Sequence, residues 1–364
     1  MFCATAMLLR LYENLSADQL ESLIRLAREL GYGPRFLDDK RQLLELTGEG
    51  AADHRARFEE RAAVRQILDG GTARELHRRT PGQGELVVAV REARFGGGQA
   101  SLIAGPCAVE NEERLLEIAH AVRASGATLL RGGSYKPRSS PYAFQGLGGA
   151  ALGMLARVRA ETGLGIVTEV LDPRDVDAVA EAADMIQVGA RSMTNFPLLR
   201  EVARAGKPVL LKRHFAATVA EFLSAAETIL DQGNERVILC ERGLRGFDGV
   251  SRNLLDVAAV AHLKMVTHLP VIVDPSHAAG RPELVRPLSR AGLVAGADGL
   301  MVEVHPAPWE VRSDGEQALH PDDFALLARE AGALLALEDR QLCLPGSPDR
   351  RDRDSSPNSL ENTP

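Results

Sequence analysis

Four residues of this chain have the side-chain chemistry of a transition-metal site, and they are widely separated in the sequence. They are Cys107 in GPCAVE, His277 in DPSHAAGR, Glu303 in MVEVHP and Asp314 in RSDGEQ. Sulfur, nitrogen and carboxylate oxygen donors together suit Mn²⁺, Fe²⁺, Co²⁺ or Zn²⁺ better than Ca²⁺ or Mg²⁺. Each residue alone has an ordinary structural interpretation, so the prediction depends on a fold that brings all four together.

A second group consists of basic residues that end or follow apolar runs. The group is Arg131, Lys136, Arg138, Arg191, Lys212 and Arg242, with Arg213 as a further candidate. Most of the 43 Lys and Arg residues are expected on the surface, but a cation at the end of a buried strand requires an anion. Six cations exceed the needs of one phosphate, which predicts two phosphorylated substrates or a phosphate with a carboxylate. The hydroxyl of Ser139 adds a donor for a phosphate oxygen.

Composition and charge limit the class of protein. A chain of 364 residues with 45% hydrophobic and 26% charged residues is typical of globular proteins and can form a barrel-sized domain plus a smaller one. The formal net charge of −7 argues against nonspecific nucleic-acid binding. No apolar run reaches the roughly 18 residues of a membrane span, and the N-terminus lacks a signal-peptide pattern. We therefore expect a cytoplasmic protein.

The elements that must position these residues are eight short apolar runs, each followed by an amphipathic stretch. The runs are 101–106, 128–133, 165–170, 185–190, 208–213, 236–242, 270–276 and 299–305. Continuous apolar strands that alternate with helices predict a parallel sheet covered by helices, and eight such units are typical of an α/β (β/α)8 TIM barrel. The alternative is an open doubly wound sheet, which more often has fewer strands and a glycine-rich turn after the first. In a barrel, the candidate residues would meet at the carboxyl ends of the strands.

The sequence divides into four parts. Residues 1–71 alternate as βαββαβ, which predicts a small ferredoxin-like domain. Residues 72–84 are interpreted as a linker and 85–340 as the barrel domain, which begins with a hairpin at 85–98 that caps it. The polar segment 341–364 is rich in Pro, Ser and Asp and is expected to be disordered.

Motifs spread over about residues 85–337 resemble those of a known protein family. The chain resembles the 3-deoxy-D-arabino-heptulosonate 7-phosphate (DAHP) synthases, and in particular the short bacterial type Iβ form. The motifs that carry the resemblance occur in the family's order: GPCAVE, RGGSYKPRSSPYAFQGLG, VTEVLD, QVGAR, PVLLKR, ILCERG, VDPSHAAGR and VEVHPAP…SDGEQAL. The βαββαβ segment is similar to the regulatory domain that precedes the barrel in some members.

The resemblance implies an enzyme, 3-deoxy-7-phosphoheptulonate synthase. This transferase condenses phosphoenolpyruvate with erythrose 4-phosphate and water in the first step of the shikimate pathway. It also implies a homotetramer or homodimer, with an aromatic amino acid as an inhibitor. Carried over by motif, the metal ligands are Cys107, His277, Glu303 and Asp314. The residues that hold phosphoenolpyruvate are Arg131, Lys136, Arg191, Lys212 and Arg242, and those that take the phosphate of erythrose 4-phosphate are Arg138 and Ser139.

The implied mechanism divides the work between the metal and the cations. The metal polarises the aldehyde of erythrose 4-phosphate, C3 of phosphoenolpyruvate attacks it, water adds at C2, and phosphate leaves. The residues assigned to catalysis are Lys136, Cys107 and His277, with Lys136 expected to manage proton transfer. The cationic cluster offsets the charge of the two anions.

This chain departs from the family pattern at a few positions. Ser139 replaces a common Thr and keeps the hydroxyl, whereas His214 replaces a common Gly and is either an extra anion ligand or a side chain that points away. In the N-terminal domain, Arg35 and Leu37 stand where imidazole and hydroxyl groups would hold tyrosine, which leaves the inhibitor open.

Three other functions are weighed against DAHP synthase. A 3-deoxy-D-manno-octulosonate 8-phosphate synthase uses the same chemistry but carries an Ala-Asn-Arg type segment where this chain has Lys-Pro-Arg at 136–138. A non-catalytic ligand-sensing barrel would not need the complete set of ligands and cations. A fused chorismate mutase would need long N-terminal helices, and the strand-like runs 7–13 and 63–71 argue against them.

Overall fold

The computed structural model describes two compact units, Met1–Leu76 and His77–Pro364. Within them the described residues are 7–12, 15–37, 41–48, 54–68, 76–79, 83–136, 140, 142–313 and 315–346. No helix of the described part is long and apolar enough to span a membrane.

The first unit is the small α+β domain predicted for the N-terminus. Its elements are β1 (Met7–Leu11), α1 (Ala17–Glu29), β2 (Gly33–Phe36), β3 (Leu43–Thr47), α2 (Arg55–Glu59) and β4 (Val64–Leu68). The strands form an antiparallel sheet in the order β2-β3-β1-β4, consistent with the expected ferredoxin-like fold. Helix α1 starts where the sequence predicts, because Ser16 and Gln19 form a capping box that satisfies free backbone N–H groups.

The second unit is a closed parallel barrel, as predicted. After the hairpin strands β5 (Val88–Val90) and β6 (Ala93–Phe95), its eight strands are β7 (Gln99–Gly105), β8 (Leu129–Arg131), β9 (Gly165–Val170), β10 (Met185–Val188), β11 (Val209–Lys212), β12 (Val237–Glu241), β13 (Val271–Val273) and β14 (Gly299–Glu303). Each strand pairs in parallel with the next, and pairing of β14 with β7 closes the barrel. This closure rules out the open doubly wound sheet.

Helices cover the outside of the barrel and connect its strands. They are α3 (Glu112–Ala124), α4 (Gly149–Thr162), α5 (Val176–Ala182), α6 (Phe196–Arg204), α7 (Val219–Leu230), α8 (Val257–Val266), α9 (Pro275–Ala279), α10 (Pro282–Val294) and α11 (Pro321–Leu337). Their apolar faces pack on the strands in one continuous buried cluster.

The interior of the barrel is a separate apolar cluster, to which every strand contributes. The strand residues are Ile103, Leu129, Val167, Met185, Leu210, Ile238, Cys240, Ile272 and Met301, and the hairpin adds Val88, Val90, Ala93 and Phe95. The hairpin therefore fills the N-terminal end of the barrel, as the sequence predicts. Since that end is closed by apolar packing, polar chemistry is confined to the carboxyl ends of the strands.

Two segments at the borders of the barrel differ from the sequence interpretation. Residues 77–79, assigned to a linker, bind the barrel: His77 Nδ1 lies 2.7 Å from Glu227 Oε2, and Arg79 donates to the carbonyl of Lys264 at 3.1 Å. Gln341–Leu342, assigned to the disordered tail, form strand β15, which pairs with the start of β7. Backbone pairing is available there because β7 begins at Gln99, before its barrel neighbours. The rest of the tail, 347–364, lies outside the described residues.

Candidate active site

Three of the four predicted metal ligands meet at the carboxyl end of the barrel. Cys107 follows β7, His277 lies on the short helix α9 after β13, and Glu303 ends β14. One ligand atom from each lies within 4.8 Å of the other two. A thiol sulfur, an imidazole nitrogen and a carboxylate oxygen at this separation fit a borderline divalent ion. The fourth predicted ligand, Asp314, lies outside the described residues.

Glu303 is fully buried, and both of its carboxylate oxygens have partners. Oε1 accepts a hydrogen bond from Arg131 at 3.0 Å and lies 3.3 Å from His277 Nε2, while Oε2 accepts from Gln317 Nε2 at 2.7 Å. Burial by itself raises the pKa of this carboxyl, but its basic neighbours His277, Arg131 and Lys136 outweigh burial and lower the pKa. Glu303 is therefore held as the carboxylate, which is the form that ligates metals.

Asp274 orients the imidazole of His277. Its carboxylate lies 2.8 Å from His277 Nδ1, and it also caps α9 by accepting from the backbone N–H of His277 at 3.0 Å. A carboxylate can only accept, so Nδ1 carries the proton and Nε2 is left with its lone pair on the side of Glu303. Burial lowers the pKa of His277, against the opposing charges of Asp274 and Glu303. The neutral ring is the form that binds metal.

Cys107 is held by two basic residues. Lys136 Nζ donates to the sulfur at 2.8 Å and to the carbonyl oxygen of Cys107 at 3.0 Å. Arg131 donates to the same carbonyl at 3.1 Å. Because Arg131 also contacts Glu303, it ties two candidate ligands together. The thiolate is the form of cysteine that ligates metals, and Lys136 and Arg131 hold Cys107 in place beside the other two candidate ligands.

The predicted anion-binding residues differ in how far they are already paired. Arg131 is buried, and its Nε has no partner among the described residues. Arg242 is also buried, and no carboxylate of the described chain lies within ion-pair distance of it. Burial lowers the pKa of Arg242, and the positive charge of Arg252 lowers it further, against Asp274. Arg131 is already paired with Glu303, whereas Arg242 is a buried cation without a carboxylate partner in the described chain and requires an anion.

The remaining basic residues fall into three cases. Lys212 forms a buried ion pair with Asp274, and Arg191 is exposed in the turn after β10. Arg138 and Ser139 lie outside the described residues. The further candidate Arg213 is not part of the site, because it is buried in ion pairs with Glu241 at 2.8 Å and Asp256 at 3.1 Å.

Comparison with known proteins gives the family. The model of the DAHP synthetase I family matches residues 83–335, which is more than half of the chain. The chain belongs to the DAHP synthetase I family. The phospho-2-dehydro-3-deoxyheptonate aldolase of Thermotoga maritima is 48% identical to it over 246 residues, which are 68% of this chain and 73% of the relative. The resemblance stated from the motifs and the assignment to an enzyme class are thereby confirmed, against the non-catalytic sensor.

Other comparisons agree with this family. The crystal structure of DAHP synthase from Thermotoga maritima matches with a TM-score of 0.74 and 38% identity, covering 93% of this chain and 99% of that one. A 2-dehydro-3-deoxyphosphooctonate aldolase of Acidithiobacillus ferrooxidans is 34% identical over 235 residues, 60% of this chain and 83% of the relative. The identity to the heptonate enzyme, 48%, is thus greater than the identity to this octulosonate enzyme, 34%.

His214, the departure from the pattern of DAHP synthases, lies beside the cations without adding to their charge. Its Nδ1 accepts from the backbone N–H of Ala216 at 3.2 Å, and its ring packs on Phe215 with centroids 4.0 Å apart. Burial lowers the pKa of His214, as do the nearby charges of Arg242 and Arg191. The ring is accordingly a neutral group at neutral pH.

Sequence reasoning missed two side chains that position the candidate ligands of this DAHP synthase family member. Asp274 stands three residues before His277 and has a recognisable sequence signal as a helix N-cap before a proline. Gln317 contacts Glu303 across 14 residues of chain, and no pattern in the sequence predicts that contact.

Proposed function

We propose that this chain condenses phosphoenolpyruvate with erythrose 4-phosphate and water to give DAHP and phosphate. The observation that carries the proposal is the convergence of Cys107, His277 and Glu303 within 4.8 Å, beside the buried cations Arg131 and Lys136. A metal centre joined to a set of cations suits a reaction between an aldehyde and an anion. The family match gives the identity of the two substrates.

Phosphoenolpyruvate is assigned to the cationic side of the site. Arg131 Nε is a buried donor without a partner among the described residues, and Arg242 is a buried cation with no carboxylate of the described chain within ion-pair distance. Arg191 is exposed in the turn after β10. Lys212 adds a donor beside them, although Asp274 shares it. The positive charges stabilise the dianionic phosphate and the carboxylate, and they remain in place when phosphate leaves from C2.

The residues that would hold the metal are Cys107, His277 and Glu303, with Asp314 as the fourth by motif. A divalent ion bound there supplies Lewis acidity toward the aldehyde oxygen of erythrose 4-phosphate. Lys136 is placed to hold or deliver a proton, because its Nζ lies 2.8 Å from Sγ of Cys107, one of the residues that would hold the metal. The native metal is left open among Mn²⁺, Fe²⁺, Co²⁺ and Zn²⁺, since ligand chemistry alone does not select one.

Arg138 and Ser139 are proposed to bind the phosphate of erythrose 4-phosphate, on the motif Lys-Pro-Arg-Ser at 136–139. Arginine offers two parallel hydrogen bonds to a phosphate, and the serine hydroxyl adds a third. The same segment argues against arabinose 5-phosphate as the aldehyde, because the octulosonate enzymes carry a different motif here.

A phosphate-release assay with both sugars tests the function. With phosphoenolpyruvate, erythrose 4-phosphate should support phosphate release, a chelator should abolish it, and an added divalent ion should restore it. Arabinose 5-phosphate should give much slower release. Faster release with arabinose 5-phosphate would assign the chain to the octulosonate reaction, and release that survives exhaustive chelation would contradict the role of the metal.

The N-terminal unit is proposed to bind an aromatic amino acid that inhibits a homotetramer or homodimer. Arg35 stands where an imidazole or hydroxyl group would hold tyrosine, and it is already engaged by Glu45 through two hydrogen bonds, at 3.0 and 2.7 Å. The inhibitor is therefore left open. Inhibition should therefore be measured with phenylalanine, tyrosine and tryptophan separately, using the same phosphate-release assay.

A further inference from the structure

Behind the candidate ligand Glu303, two polar side chains form a short chain of hydrogen bonds. Gln317 Nε2 donates to Glu303 Oε2 at 2.7 Å, and Arg252 donates to Gln317 Oε1 at 3.0 Å. Glu303 and Gln317 are buried, with 0% and 2% of their surface exposed. Arg252 lies at the other end of this chain of bonds, on the wall of a cavity of about 710 Å³.

The direction of these bonds is fixed by the chemistry of arginine. A guanidinium has only donors, so the atom of Gln317 that faces Arg252 must be the amide oxygen. The amide nitrogen then faces Glu303, where it donates to the carboxylate. The carboxylate of Glu303 has only acceptors and requires the same orientation, so the amide is held from both ends. Loss of Arg252 would leave the amide held from one end only, and Arg252 therefore acts on Glu303 through Gln317.

The backbone around Arg252 is attached to the helix that carries His277. Arg252 N–H donates to the carbonyl of Ala279 at 3.0 Å, and the side chain of Asn253 donates to the carbonyl of His277 at 3.0 Å. These hydrogen bonds fix the backbone of Arg252 beside helix α9, although the side chain of Arg252 is exposed.

We propose that Arg252 and Gln317 are a positioning pair that prepares Glu303 to ligate a metal ion. With Oε2 held by Gln317, the carboxylate presents Oε1 toward His277 Nε2, 3.3 Å away. The proposal rests on the metal site of the proposed function, but it concerns metal affinity rather than turnover. Partners of this kind typically change metal affinity by about 10- to 100-fold when they are removed.

The test measures binding of Co²⁺ to the full chain freed of metal, without substrates. The thiolate-to-cobalt absorption band reports whether Cys107 is a ligand, and titration gives the dissociation constant. Gln317→Met keeps the length of the side chain and removes its donor, and Arg252→Met does the same one step further out. Each variant should bind Co²⁺ roughly 10- to 100-fold more weakly.

Arg312→Met is the matched control, because Arg312 lines the same cavity and has no hydrogen bond to Gln317. Removing either arginine takes away one positive charge, and electrostatics alone would then tighten cation binding. The positioning role predicts the opposite sign for Arg252→Met alone. Equal or tighter binding by Arg252→Met would overturn the proposal.

The double variant Arg252→Met/Gln317→Met tests whether one residue acts through the other. It should bind Co²⁺ no more weakly than Gln317→Met alone, and additive losses would contradict the pair. Circular dichroism checks folding, and if Arg252→Met does not fold, Arg252→Lys takes its place. With one donor retained, the lysine variant should bind less tightly than the unchanged chain but more tightly than Gln317→Met.

The outcomes separate this proposal from the proposed function. If the unchanged chain binds Co²⁺ but releases no phosphate from the two substrates, the function fails, and weaker binding by the variants still supports the pair. If the unchanged chain is active and the two single variants bind Co²⁺ as tightly as it does, the pair fails and the function stands.

Discussion

At the scale of single residues, Arg242 is the cation whose need for an anion is best defined. It is buried at the end of β12, and no carboxylate of the described chain lies within ion-pair distance of it. We predict that Arg242→Met raises the KM for phosphoenolpyruvate, because one set of charge-assisted donors to the substrate is lost. A loss of about 2 kcal/mol corresponds to roughly 30-fold in KM. Initial rates of phosphate release at varied phosphoenolpyruvate concentration measure it.

Arg245 provides the control for this prediction. It lies in the same loop and carries the same charge, but it is exposed and stacks on Phe215, with its guanidinium carbon 4.6 Å from the ring centroid. Arg245→Met should leave the KM for phosphoenolpyruvate nearly unchanged. Equal increases in the two variants would mean that only the overall charge of the loop matters, and the assignment of Arg242 would fail.

The sequence predicted that the candidate metal ligands lie close together, because the ends of the barrel strands determine where these side chains are placed. Cys107 and His277 follow barrel strands and Glu303 ends one, so their convergence follows from the fold. The further candidate Arg213 lies apart from the site for a simple physical reason: it is adjacent to Lys212, and successive residues at a strand end point to opposite faces. Lys212 pairs with Asp274 inside the site, while Arg213 pairs with acidic residues outside it.

At the scale of elements, the β5–β6 hairpin is a structural part of the barrel rather than of the site. Phe95 is fully buried in the interior cluster, with strand residues such as Ile272 and Met301. Phe95→Ala should destabilise the barrel by about 3–5 kcal/mol, as large-to-small changes of buried aromatic residues do. Urea unfolding followed by circular dichroism measures the change.

Glu92→Ala is the control in the same hairpin, because Glu92 is exposed and its ion pair with Arg123, at 3.4 Å, is on the surface. It should cost at most about 1 kcal/mol. Phe95→Ala should not change Co²⁺ affinity under conditions where it is folded, since the hairpin lies at the opposite end of the barrel from the ligands. A large loss of affinity would show that the two ends are coupled.

The sequence predicted the helices and strands better than it predicted the contacts between them. Continuous apolar runs gave all eight barrel strands, because both faces of each strand are buried and leave no polar alternation. The strand Gln341–Leu342 was missed because two residues in a polar segment carry no periodicity, and only the free edge of β7 makes them a strand. The contact of Gln317 with Glu303 was missed for a similar reason, since it depends on the path of a loop.

At the scale of the whole molecule, the two units have separate apolar cores. In the described chain, the buried residues of the N-terminal core come from the sequence range Leu9 to Ile67. The residues of the two barrel clusters all come from Leu86 onward. Since buried apolar surface is the main stabilising contribution in a domain, each unit carries its own source of stability. The boundary between the two units lies before His77, because residues 77–79 form hydrogen bonds with the barrel.

A chain that starts at His77 should therefore fold and catalyse without the first unit. Its metal affinity and turnover should match those of the full chain to within about 0.5 kcal/mol, roughly twofold, because Cys107, His277 and Glu303 all belong to the second unit. Inhibition by an aromatic amino acid, where the full chain shows it, should disappear. Co²⁺ titration and phosphate release on both chains measure these quantities.

A second truncated chain, starting at Glu85, shows whether the boundary is correctly placed. It lacks the bonds of His77 to Glu227 and of Arg79 to the carbonyl of Lys264, at 2.7 and 3.1 Å. Each lost hydrogen bond costs about 1 kcal/mol, so this chain should unfold at lower urea than the one that starts at His77. Equal stability would mean that 77–84 is a linker after all, and loss of folding in both chains would mean that the barrel depends on the first unit.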